Sequence, residues 1–227
     1  MKRLALLALT LTVSLWAADF WAKPYAEWND KELQLMITDS PWADRMAVET
    51  GQRGAIGNAD DKGGAIQGNL TAPITVVWAT ALPVKQAMAR LTPGPAATAM
   101  LERQETSYVL RLVGFPGSVR GAALDTAKLT AETTIKVKGK PDLHPADIQI
   151  PGAAPAAAAG GTPGRGGPGG GRGGPGGATF EIFMVFPKTA NFSVDDKEIE
   201  FATKVGAMSI RKKFKLKDML YNGKLEM

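Results

Sequence analysis

Residues 151–177 contain almost nothing but Gly, Ala and Pro, broken only by Thr162, Arg165 and Arg172. Such a tract has little to bury and much backbone entropy to lose, so it is expected to stay disordered. It constrains the fold by cutting the apolar pattern in two. The part before it reads as helices and about three strands, and the part after it as strands with no helix to cover them. Neither part can bury its own apolar surface. The economical solution is one α+β domain over residues 18–227, with a mixed, mostly antiparallel sheet, a few short helices and the tract as an insertion. As a coil, the tract spans roughly 30 Å on average, enough to join two strands across a small domain. Two separate lobes are the alternative.

The strand pattern is clearest after the tract. Residues 179–186, TFEIFMVF, are apolar on both faces, as in a central strand. Ile199, Phe201 and Val205 share one face of the next segment. Residues 208–217 then alternate, with Met208, Ile210, Phe214 and Leu216 inward and Arg211, Lys213, Lys215 and Lys217 outward; Lys212 breaks the inward row. Asn222-Gly223 is a hairpin signal.

Before the tract, residues 74–81 read as a central strand. Pro83 opens a helix with its stripe at Val84, Ala87, Met88 and Leu91. A short helix over 97–103 and a strand over 106–113 follow, ended by Gly114-Phe115-Pro116-Gly117. A helix over 122–131 and a half-exposed strand over 133–138 come next, and Ile148 and Ile150 are expected at a sheet edge. Residues 43–71, rich in Gly, Asn, Asp and Gln, read as a long surface connection with one short strand near Met46-Ala47-Val48.

The N-terminal segment has two parts. Lys2-Arg3, the apolar run from Leu4 to Trp16 and small residues at Ala17-Ala18 have the layout of a signal peptide over residues 1–17. The apolar run falls short of the about 20 residues needed to span a bilayer. Asn29 and Glu32 then form a capping box ahead of Leu33, Met36 and Ile37 at helical spacing, and Asp39-Ser40-Pro41 stops the helix. Trp28 and Trp42 flank this helix. They read as core anchors or, alternatively, as an aromatic platform for a ligand.

Lys23-Pro24-Tyr25, Glu27-Trp28 and Thr38-Asp39-Ser40-Pro41-Trp42-Ala43, together with Phe214-Lys215-Leu216-Lys217-Asp218-Met219, resemble an uncharacterised family of exported bacterial proteins. The resemblance implies an extracytoplasmic address, periplasmic or secreted. It implies no activity and no site residues.

Composition narrows the chemistry. With no cysteine the chain has no disulfide, no thiol nucleophile and no lipid-anchoring cysteine. Its formal charge of +5 falls to +3 without Lys2 and Arg3, and the tract's two arginines leave the rest at +1. A nucleic-acid partner is therefore not expected. The single histidine, His144, lies between Leu143 and Pro145 and is a poor start for a metal site, which needs three or four converging ligands. Residues 58–63, NADDKG, resemble a calcium loop but place Lys62 where an oxygen ligand belongs. Ser209 and Lys212 match S-x-x-K on a strand, where the two side chains point to opposite faces. The two Arg-Gly-Gly steps in the tract lack the aromatics of an RNA-binding segment. No motif calls for a cofactor.

What remains is a surface. Arg211, Lys213, Lys215 and Lys217 stand about 7 Å apart along one strand face. They read as a protected edge strand, or as a contact for an anionic envelope polymer. The expectation is a non-catalytic binding or structural protein of the bacterial envelope, whose partner is such a polymer or another envelope protein. Candidate contact residues are Arg211, Lys213, Lys215, Lys217, Trp28 and Trp42. The rival is a hydrolase working on an envelope glycan with acids alone.

Overall fold

The computed structural model describes residues 20–56, 66–119, 124–151, 179–189 and 191–227. The expected signal peptide over 1–17, the tract beyond Pro151 and the calcium-like loop at 58–63 lie outside the described residues. Ahead of the tract come α1 (Asp30–Met36), β1 (Ala43–Ile56), β2 (Ile66–Trp78), α2 (Leu82–Leu91), α3 (Pro95–Glu102), β3 (Ser107–Pro116), α4 (Thr126–Glu132), β4 (Thr134–Lys136) and β5 (Asp147–Gln149). After it come β6 (Thr179–Pro187), β7 (Glu198–Val205), β8 (Met208–Lys215), β9 (Leu220–Tyr221) and β10 (Lys224–Leu225). The fold is α+β, and every described strand pair is antiparallel.

Both larger sheets draw strands from each side of the tract. The five-stranded sheet runs β1-β2-β3-β6-β5 and the three-stranded sheet β4-β7-β8. The joint in the first is β3 against β6, with Leu110 opposite Met184 and Leu112 opposite Ile182. All four side chains are fully buried. Each such side chain contributes about 1.5–3 kcal/mol of transfer free energy, and neither strand would realise it without the other. The joint in the second sheet is β4 against β7, with Ile135 opposite Phe201. Beside it the buried hydroxyls of Thr133 and Thr203 satisfy each other at 2.7 Å.

The two sheets meet at both margins around one core. At one margin Ile135 bridges Leu143, and the chain continues into β5, where the Ala146 N–H donates to the Val185 carbonyl at 2.7 Å. At the other, Lys212 Nζ lies 2.8 Å from Asp44 Oδ2. Between the sheets Trp78 meets Tyr108 and Phe214 edge-on, with ring centroids 6.0 and 5.7 Å apart.

The N-terminal segment is fastened over one end of this core. The expected capping box is present, Asn29 accepting from Glu32 N and Glu32 accepting from Asn29 N. Trp28 and Trp42 are buried, and the Tyr221 ring meets both edge-on. Trp42 Nε1 donates to the Glu226 carbonyl at 2.7 Å. Arg90 of α2 donates to the Tyr25 and Trp28 carbonyls at 2.6 and 2.8 Å, tying the segment to a second helix.

Three features depart from the sequence reading. The described residues 43–56 and 66–71 are not a surface connection. They belong to two long paired strands, from Ala43–Val77 to Ile56–Ile66. Glycine and amide side chains weaken strand preference, but the ladder to β2 and the burial of Val48, Ala72 and Ile74 outweigh it. Next, β3 does not turn at Gly114. The chain bulges there at φ +106 and resumes pairing at Phe115. A side chain at 114 would meet the Pro73 carbonyl oxygen at 2.3 Å, so glycine is required. Finally, β8 ends at Lys215, and Lys217 sits in a 3-10 turn over Leu216–Asp218.

Candidate anion-binding cleft

The antiparallel register of the smaller sheet brings three chain segments to one end: the exit of β4, the entry to β7 and the exit of β8. Glu200 pairs with Lys136 on one side and with Lys213 on the other, and Glu198 pairs with Lys215. Beyond these pairs a cleft of about 470 Å³ opens, lined by Lys138, Val194, Asp196, Lys197, Glu198, Lys215 and Lys217. Val194 supplies apolar surface, being 39% exposed.

The two acids of this lining are already engaged by cations outside it. Asp196 Oδ2 is 2.7 Å from Lys140 Nζ and accepts the Ser193 N–H at 2.8 Å. These contacts, Lys140 foremost, hold its carboxyl below the usual aspartate range. Glu198 Oε1 is 2.8 Å from Lys213 Nζ. The hydrogen bond to Glu198, reinforced by its charge, raises the Lys213 pKa above the ordinary lysine value. In contrast, Lys138, Lys197, Lys215 and Lys217 are all exposed, and none has a carboxylate within ion-pairing distance among the described residues. Four lysines without an ion-pair partner line one concavity, and positive charge clustered in this way raises the local concentration of anions, an effect that salt screens.

A second cleft, of about 360 Å³, lies on the other side of Lys215. Trp21, Asp39, Ser40, Pro41, Lys212, Lys213, Phe214 and Asp218 complete its lining. The Thr38–Ala43 stretch and the Phe214–Met219 stretch, far apart in sequence, are therefore neighbours in space. Asp39 and Asp218 are exposed, and the Ser40 hydroxyl is spent on the Met36 carbonyl, to which it donates at 2.8 Å.

Comparison with family models, with curated proteins and with solved structures finds no match.

The row read from the sequence is split by the structure. Arg211 Nε lies 3.5 Å from Glu200 and Lys213 is held by Glu198, so this half of the row is neutralised by β7. Lys215 and Lys217 line the cleft. Trp28 and Trp42 are 1% and 0% exposed and present no ring to a partner. They are core anchors, because each indole N–H finds a backbone carbonyl and each ring packs on Tyr221. His144 stands apart from the cleft, its Nδ1 3.0 Å from the Thr133 carbonyl oxygen. Among the described residues no three His, Cys, Asp or Glu side chains converge to hold a metal. Lys138 and Lys197 were missed by the sequence reading. The only signals for them are a lysine before Gly139 and a lysine at the foot of β7, and neither is distinctive without the register.

Proposed function

We propose that this chain is a non-catalytic binding protein of the bacterial envelope, exported through residues 1–17, that holds an anionic envelope polymer in the lysine cleft. The observation that carries the reading is the set of four exposed, unpaired lysines, Lys138, Lys197, Lys215 and Lys217, around one concavity. Lysine ammoniums are hydrated point charges on flexible stems, suited to a mobile polyanion rather than to one fixed planar group. No helix among the described residues is long and apolar enough to cross a membrane.

The rival, a glycan hydrolase working with acids, needs one carboxyl raised enough to donate a proton near neutral pH. Glu32 and Asp196 are both shifted the other way, downward, through lysine contacts. Asp39 and Asp218 stand exposed at their cleft rather than enclosed.

The test is titration of the purified chain with two probes, polyphosphate and polygalacturonate, at several salt concentrations. Binding to at least one is expected, weakening with salt. Lys215→Glu/Lys217→Glu should lower affinity by about tenfold or more at low salt. Binding that ignores both salt and this double substitution would end the proposal.

A further inference from the structure

The backbone at Lys197 is strained, and the strain points to a role for its side chain. Lys197 has φ 65° and ψ −60°, the dihedrals of a classic γ-turn, which is rare and costly for a residue with a Cβ. Elsewhere the chain avoids this cost. Among the described residues the other positive-φ positions are six glycines, with Asn222 the single further exception. Asn222 belongs to the Asn-Gly hairpin turn, where asparagine is favoured. Glycine serves at comparable turns of the same sheet, Gly139 after β4 and Gly206 between β7 and β8. Nothing about the turn at 197 calls for a lysine.

The strained geometry is fixed from both sides. The Lys197 N–H donates to the Val194 carbonyl at 3.1 Å, and its carbonyl accepts from Leu216 N at 2.9 Å. Just before it, Asp196 is locked by Ser193 and Lys140; just after it, Glu198 begins the β7–β8 ladder. The bond to Leu216 joins this turn to the 3-10 turn that carries Lys217. Lys197 is thus held in the cleft lining beside Lys215 and Lys217.

We infer that Lys197 contacts the bound anion directly, and that its backbone strain is retained to keep that ammonium group in the cleft. The inference rests on the cleft reading and adds to it the residue that positions the anion. A backbone outlier over-determined by its surroundings is where such a role is to be sought.

Three variants of the full chain test it. Lys197→Gly removes both strain and charge: its thermal midpoint should rise by about 2–4 °C, while affinity for the polyanion that binds the parent chain falls by about fivefold. Lys197→Met keeps the Cβ and stem but loses the charge, so binding should fall equally without the rise in midpoint. Lys197→Arg should retain binding. Parent-like binding by Lys197→Met, or a lower midpoint for Lys197→Gly, would overturn the inference. If Lys215→Glu/Lys217→Glu loses binding while Lys197→Met keeps it, this inference falls and the cleft reading stands. If the parent chain binds neither polyphosphate nor polygalacturonate, both fall.

Discussion

The two halves of the cationic row from Arg211 to Lys217 have the same chemistry and different neighbours. Arg211 and Lys213 face β7, whose Glu200 and Glu198 neutralise them. Lys215 sits directly across from Glu198, but that carboxylate is turned to Lys213, and Lys217 lies past the end of the strand. A run of like charges on an edge strand is therefore not one surface. The first half discourages edge-to-edge pairing, while the second half is left with charge to offer, and the register with β7 draws the line between them.

The contrast can be broken or sharpened experimentally. The largest effect is expected on the opposite face of β8, which both halves need. Phe214 is 2% exposed against Trp78, and Phe214→Ala should cost about 3–5 kcal/mol in chemical denaturation. Next in size is the asymmetry itself. Arg211→Glu/Lys213→Glu should weaken polyanion binding far less than Lys215→Glu/Lys217→Glu, and equal losses would erase the distinction. Smaller still is the converse change. Glu198→Gln/Glu200→Gln frees two cations and should tighten binding by about two- to threefold. The same substitution should bring the Lys213 pKa back down, which NMR titration of its Cε would register.

pH supplies the finest contrast. The folded pKa of Lys213 lies above 10.5, so the Glu198 pair stabilises the fold below that value. That contribution is lost as pH rises through the raised pKa. The folded pKa of Asp196 lies below 3.8, so its tie to Lys140 contributes above that value and is lost as pH falls through the depressed pKa. Acid should therefore loosen the turn carrying Lys197. Protection of the Lys197 amide, relative to its intrinsic exchange rate at each pH, that is unchanged by acid would count against this.

Much of the fold was legible because apolar periodicity was strong where burial is complete. In β6, Phe180, Ile182, Met184 and Phe186 are buried, and the run over 179–186, apolar on both faces, alone predicts a central strand. The capping box of α1 and the Asn222-Gly223 turn are written as local chemistry and were equally readable. The β1–β2 pairing was not. Arg53 and Asn69 are exposed, so their pattern carries little burial signal, and pairing with each other holds them instead. The site was half legible for the same reason. Lys215 and Lys217 are announced by alternation, whereas Lys197 joins them through the β7–β8 register and Lys138 through the β4–β7 pairing across the tract.

The link from Trp42 to the Glu226 carbonyl, and the sharing of both sheets across the tract, have a bearing on how the chain is made. A polypeptide delivered from its N-terminus has no finished unit to lock into until β6, β7 and β8 arrive, and no seat for Trp42 until residue 226 does. Everything upstream waits as a loose thread with its oily side chains unhoused. For any route that feeds the thread tip-first through a narrow opening, such late closure keeps it slender enough to pass, and leaves a holding chaperone a long window in which to grip it.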